Sequence, residues 1–229
     1  MGEVVTVARE DTPDGEVALR RRGEVLELVV DGAFAMDTVD TSTEVLLAGT
    51  LRRHPDPRRV LVGGLGLGFT TRAVLDDPRV AHVDVVELAA PLVRWARAGV
   101  VAELAGLEGP RCALHVGDVA RVLDGTVPPQ GPWDAILLDV DNGPGFLVHA
   151  TNAPLYEADT LRSCRAALRP GGLLVVWSSH RAPELLHRLA GIGERGDVAD
   201  EEVLAVSREG RTFEYALYTL ARGRDGGGG

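Results

Sequence analysis

The sequence predicts an α/β chain: a mostly parallel sheet with helices on both faces, preceded by a small antiparallel β unit. Three observations carry this. Residues 59–87 run as strand, glycine turn, helix, strand and acidic residue. From Val60 onward, short apolar runs alternate with helical patterns, the rhythm of parallel strands joined by crossover helices. Before that point, residues 16–30 alternate apolar with polar side chains, the period-2 pattern of half-buried strands.

The chain has 229 residues, 45% of them hydrophobic, enough for one substantial core and a small appendage. The expected division is a β unit plus helix over 1–55, a cofactor-binding catalytic domain over 56–222 and a disordered tail over 223–229. A net charge of −10 repels phosphate backbones, which argues against nucleic acid and for a cationic or neutral small molecule. Cys112 and Cys164 have no metal-type spacing, so no metal is expected, and two isolated thiols suit a reducing cytoplasm. The first residues hold neither a basic region nor a long apolar run, so neither a secretory leader nor a membrane span is expected.

Taken in order, residues 16–20 and 24–30 read as strands with a turn at Arg22 and Gly23, and residues 33–36 as a third. Thr41 and Glu44 have the spacing of a capping box, opening a helix to about Leu51. His54, Pro55, Asp56 and Pro57 end it. Val60, Leu61 and Val62 form the first parallel strand, and residues 69–75 a helix. A second strand over 83–86 ends in Glu87, and residues 89–104 read as helical. Strands at 112–116 and 133–138 follow, ending near Asp118 and at Asp139, with a short helix over 119–123 between them. Helices at 154–168 and 183–190 flank a strand over 173–178, and residues 203–206 and 213–218 close the chain as an antiparallel pair.

Gly64, Gly66 and Gly68 alternate after the first parallel strand, where glycine lets the backbone turn and approach a ligand. Glu87 stands roughly 20 residues on, where a carboxylate can accept both hydroxyls of a ribose. Plain tight turns also use glycines. It is the strand before them, the helix after them and Glu87 at this distance that point to a nucleoside-containing cofactor. The strict dinucleotide pattern fails at Leu67 or Phe69, which disfavours NAD. Ligands of such sheets bind outside the carboxyl ends of the strands, and Gly64, Glu87, Asp118 and Asp139 all fall at such ends.

On these residues the sequence resembles the spermidine synthase (polyamine aminopropyltransferase) family, whose members carry a Rossmann-like, class I methyltransferase-type domain. The resemblance covers the N-terminal β unit, the helix holding Glu44, the loop from Gly63 through Gly68, Glu87, Gly117 with Asp118, Asp139 and the turn over 168–172. It implies S-adenosylmethionine or its decarboxylated form as cofactor, with the glycine loop on the methionine-derived part, Glu87 on the ribose and Asp118 on the adenine amino group. By position rather than by resemblance, His149 and Tyr156 follow the acidic loop and are weak candidates for an acceptor pocket with Glu44 and Asn142, a surface or turn role being the plainer reading of His149 and Tyr156. Three departures stand out. The family's Tyr-His pair before the helix glutamate is absent, since Ser42 and Thr43 precede Glu44. The family's loop aspartate, associated with the amine of the aminopropyl group, falls at Gly66. The family's D-S-S-D or D-S-T-D loop reads Asp139, Val140, Asp141, Asn142.

A sulfonium donor already has a good leaving group, so the enzyme must align an acceptor and take its proton. Asp139 is the candidate base and Asp141 a second anchor. The plainer readings are that Asp139 caps the next helix and that Asp141 faces solvent. Aminopropyl transfer to an amine, methyl transfer to a small molecule, and nucleoside binding without catalysis all remain open. The expected partner is a small-molecule amine or metabolite, with a homodimer as a further candidate assembly. Asn152 and His180 are weaker candidates, and Trp95 and Trp177 read as packing residues.

Overall fold

The computed structural model describes residues 3–145, 147, 150–208 and 211–224. The N-terminal residues build a four-stranded antiparallel sheet from β1 (Val4–Thr12), β2 (Gly15–Arg22), β3 (Val25–Val30) and β4 (Ala33–Asp37), in that order. β1 goes beyond the three predicted strands. Its first four residues are exposed and its half-buried positions, Ala8, Glu10 and Thr12, are mostly polar, so no apolar alternation betrays it. Helix α1 (Ser42–Gly49) follows and continues as a 3₁₀ turn over Thr50–Arg53.

The larger sheet begins at β5 (Arg59–Gly63), then α2 (Phe69–Leu75), β6 (His82–Glu87), α3 (Ala90–Ala98), β7 (Cys112–Val116), α4 (Val119–Leu123) and β8 (Trp133–Leu138). A 3₁₀ segment over Ala150–Tyr156 leads into α5 (Ala158–Ala167), β9 (Leu168–Ser178), α6 (Pro183–Ile192), β10 (Val198–Arg208) and β11 (Arg211–Ala221). The seven strands lie in the order β10-β11-β9-β8-β5-β6-β7. β7, β6, β5, β8 and β9 are mutually parallel, and β11 runs antiparallel to both β9 and β10. This is the predicted Rossmann-like architecture, with the order of strand addition reversing between the parallel neighbours β5 and β8, the place where such sheets open a crevice.

Two helices are shorter than predicted. α3 stops at Ala98 because Gly99 takes the left-handed conformation (φ 63°) that closes helices, where the sequence reading carried it to 104. Residues 150–156 form a 3₁₀ turn with Pro154 inside it, so the helix predicted from 154 begins at Ala158.

The core has two layers, one on each face of the large sheet. One joins Val60, Val62 and Val85 to Leu19, Leu26 and Leu28 of the small sheet and to Leu47 of α1. The other joins Leu61, Ile136 and Val176 to α4, α5 and α6. A single strand thus feeds both layers through alternate residues. Asp84, in the middle of β6, is 3% exposed and is satisfied by Arg59 Nη2 at 2.9 Å, His115 Nε2 at 3.0 Å and Trp133 Nε1 at 3.3 Å. Burial alone would raise its pKa, but these donors hold it below the ordinary carboxylate value.

Candidate active site

Where β5 ends, the chain must turn sharply between β6 and β8. Gly64 manages this with φ 92°, and a Cβ there would stand 2.1 Å from the Asp139 carbonyl oxygen. Its N–H donates to the Val86 carbonyl at 2.9 Å, while the Asp139 N–H donates to the Gly63 carbonyl at 2.8 Å. The glycine is therefore what lets the ends of three parallel strands meet. Gly66 (φ 51°) continues the turn, and a Cβ there would meet Met36 Sδ at 2.7 Å. Gly68 (φ 84°) precedes α2, and its missing side chain leaves room for Leu107.

These strand ends floor a cleft holding about 800 Å³ of empty space, part of it open to solvent. Gly64, Leu65, Gly66, Glu87, Asp139, Val140, Asp141 and Asn142 contribute to it. Leu28, Val30, Ala35 and Met36 of the small sheet and Glu44 of α1 face them, with Trp177 of β9 at one side. A smaller recess shares Gly64, Glu87 and Val140 with the cleft and adds Gly117, Asp118 and Asn152.

Glu87 is 8% exposed. Its Oε2 accepts the Leu65 N–H at 2.7 Å and its Oε1 the Ala89 N–H at 2.7 Å, so one carboxylate ties the glycine loop to the entry of α3. Asp118 is exposed at the rim of the recess, and its Oδ1 caps α4 by accepting the Ala120 N–H at 2.8 Å. Asp141 is buried. It accepts the Asn142 N–H at 2.8 Å and Asn152 Nδ2 at 2.9 Å, which settles the solvent-facing alternative against it. The Asn142 carbonyl accepts both N–H and Oγ–H of Ser179, pinning the acidic loop to the end of β9.

Asp139 is the most perturbed of these groups. Burial, and then the charge of Glu44, push its carboxyl up to about 7, against a hydroxyl bond from Thr70 Oγ1 at 2.6 Å that favours the ionised form. Strongly displaced carboxyls in a cleft mark candidate proton-transfer groups.

The structure brings Gly64, Gly66, Glu44, Glu87, Asp139, Asp141 and Asn142 to the cleft and Asp118 to the adjoining recess. Gly63 lies behind Gly64, packed near Leu138 and Val119, and Gly68 serves the packing of α2. Tyr156 is 2% exposed in the layer below the acidic loop, where burial and the charges of Asp141 and Asp139 raise its phenol above the ordinary value. His149 lies outside the described residues, as do residues 225–229 at the end of the predicted tail.

Glu44 corrects a sequence reading. The predicted capping box is absent: Thr41 makes no side-chain cap, and Glu44 Oε2 instead accepts Thr43 Oγ1 at 2.7 Å while facing the cleft. Trp177, read as packing, forms cleft wall and lies 5.7 Å from the Tyr215 ring, centroid to centroid. Sequence reasoning passed over Thr70 and Met36 entirely. The available signal for Thr70 was a hydroxyl in the first turn after a glycine loop. Met36 had none, because its place depends on how the small sheet folds over the large one.

No group of three or more His, Cys, Asp or Glu suited to a metal ion occurs among the described residues, and no helix among them is long and apolar enough to cross a membrane.

Comparison with known proteins gives a consistent result. The sequence model of the spermine/spermidine synthase domain matches residues 40–189. A polyamine aminopropyltransferase of Nitrosomonas europaea is 34% identical over 143 residues, 61% of this chain and 42% of that protein. Putrescine N-methyltransferase 4 of Nicotiana tabacum is 31% identical over 132 residues, 58% of this chain and 32% of that protein. A crystal structure of spermidine synthase in complex with the transition state analogue AdoDATO superposes with a TM-score of 0.77 at 17% identity, covering 96% of this chain and 74% of that one, a likeness of fold. The matched segments span less than half the length of these curated relatives.

Proposed function

Because the chain belongs to the spermine/spermidine synthase family, we propose that it transfers an aminopropyl group from decarboxylated S-adenosylmethionine to a small-molecule amine. One observation carries the choice. Glu44, Glu87, Asp139 and Asp141 all line the cleft, and no Lys, Arg or His is among the described residues that do. Such a surface attracts a sulfonium and an ammonium and opposes a donor that keeps its carboxylate. As a working division, residues 56–222 carry the chemistry and residues 1–55 cover it.

In this reading the glycine loop and Glu87 hold the nucleoside, with Glu87 on the ribose and Asp118 at the adenine end. Asp141 draws the acceptor cation toward the strand ends. The acceptor reaches the cleft as an ammonium and attacks only after losing a proton, which Asp139 takes. Its nitrogen then bonds the aminopropyl carbon next to sulfur, the C–S bond breaks, and its electron pair stays on a neutral thioether. A carboxyl with a pKa near 7 is suited to exchange a proton at neutral pH. A bound sulfonium lowers that pKa and favours the ionised base.

Methyl transfer is the second reading, and one observation favours it: the space beside Gly66, where the family's loop aspartate would stand, holds the Met36 thioether, which accepts the Leu67 N–H at 3.3 Å. Incubating the protein with each donor and a panel of diamines, then reading product masses, separates the two. Aminopropyl adducts support the proposal. Methyl adducts alone replace it with the second reading, and tight nucleoside binding without turnover leaves a binding protein.

Glu87 gives a direct test of the cofactor site. Glu87→Gln keeps an acceptor for one loop N–H but loses the charge, and is expected to weaken methylthioadenosine binding by about 1.5–3 kcal/mol. Titration calorimetry reads this. An affinity equal to wild type would remove Glu87 from the nucleoside site.

A further inference from the structure

Asp139 is held from outside its own loop at one oxygen only. Oδ2 accepts Thr70 Oγ1 at 2.6 Å, and among the described residues no donor stands within hydrogen-bond distance of Oδ1. Thr70 is itself 3% exposed, in the first turn of α2, immediately after the glycine loop. A buried hydroxyl with one short bond to a carboxylate has few other orientations open to it. The backbone of Asp139 is fixed separately, through its N–H on the Gly63 carbonyl. Backbone and one carboxylate oxygen are thus both anchored to the segment that forms the glycine loop and α2.

We propose that Thr70 is a positioning residue for proton transfer: it fixes Asp139 Oδ2, turns Oδ1 to the acceptor and favours the ionised carboxylate. This rests on the reading of Asp139 as the base. Of the other titratable groups around Asp139, Glu44 on α1 works in the opposite sense; Glu87 at the end of β6 and Asp141 on the same loop are further carboxylates, and Tyr156 beneath them is a neutral phenol. Each negative charge makes a second one harder to hold, so the hydroxyl is the protein group that favours ionisation before a cationic ligand arrives. It also links the cofactor loop to the base, since any movement of α2 carries the Thr70 hydroxyl with it.

The test uses Thr70→Val, which keeps the shape and removes the donor, and Thr70→Ser, which restores it. The pKa of Asp139 in the free protein is read from carboxyl carbon NMR, with Asp139→Asn identifying the resonance. The pH profile of kcat/KM is read alongside. Thr70→Val is expected to raise the Asp139 pKa by about one pH unit, the size of one hydrogen bond to a charged group. It should move the acidic limb of the profile upward by the same amount, cutting activity about tenfold below that limb and sparing the alkaline plateau. Thr70→Ser should return both to wild type, and methylthioadenosine affinity should stay constant throughout. An unmoved NMR pKa in Thr70→Val would overturn the proposal, as would a loss of activity equal at every pH. Normal turnover by Asp139→Asn would instead sink the assignment of the base, an outcome separate from the NMR result.

Discussion

Asp139→Asn is expected to reduce turnover by about 10²-fold or more, the scale of a lost general base, with methylthioadenosine affinity nearly unchanged. The amide keeps an oxygen for Thr70 Oγ1 and the backbone bond to Gly63, so the cleft retains its shape. What it loses is a proton acceptor beside the attacked carbon. Asp141→Asn should act differently. Asp141 is already engaged by Asn142 and Asn152, so its substitution should raise KM for the amine more than it lowers kcat. Steady-state kinetics on both variants decides. A dead Asp141→Asn beside an active Asp139→Asn would reverse the roles.

The same substitution has a stability consequence of opposite sign. The Asp139 carboxyl titrates near 7 in the folded chain against 3.8 for an ordinary aspartate. Between those values the folded state binds the extra proton, so stability falls as pH rises through this window and stays reduced above it. Asp139→Asn removes the penalty. At pH 8 it should be more stable than wild type by about 2–4 kcal/mol, the upper figure being the full shift and the lower allowing for partial contact with solvent. Near pH 4 the two should converge. Denaturant melts at both values check this, and equal stability at pH 8 would mean the carboxyl is not held against its burial.

The cofactor half of the site was legible because it is local. A strand ending in alternate glycines, and a second strand ending in an acid, write their geometry into adjacent residues, and Gly64 and Glu87 fall where that grammar puts them. The cover of the cleft was not legible. Leu28 and Val30 alternate as a strand should, but nothing near them says that their face closes over the cleft at Gly66 as well as over core. Glu44 misled for a related reason. Its spacing from Thr41 satisfies a helix cap, and only the tertiary approach of α1 to the strand ends turns the carboxylate into the cleft. Sequence periodicity reports the face of an element, and the partner of that face is a long-range property.

The largest structural effect should come from Gly64→Ala. A Cβ at Gly64 would lie 2.1 Å from the Asp139 carbonyl oxygen and 2.9 Å from its carbon, both backbone atoms of the neighbouring strand end, and φ there is 92°, outside the comfortable range of alanine. Neither clash can be relieved by rotating a side chain. The loop must leave β6, where the Gly64 N–H is bonded to Val86, or push Asp139 away from β5. Backbone strain and overpacking each cost about 1–3 kcal/mol, so a loss of roughly 2–6 kcal/mol is expected, a large part of the usual stability of a domain. Gly66→Ala provides the control. Its φ of 51° is close to a conformation alanine can adopt, and its nearest obstacle is the sulfur of Met36, a side chain able to shift. That variant should lose only about 1–2 kcal/mol. Denaturant unfolding ranks the two, and calorimetry with methylthioadenosine should find binding abolished in Gly64→Ala and retained in Gly66→Ala. Equal stabilities would mean that the strand ends can part without cost, and the contact between Gly64 and Asp139 would no longer explain how cofactor loop and base are held together.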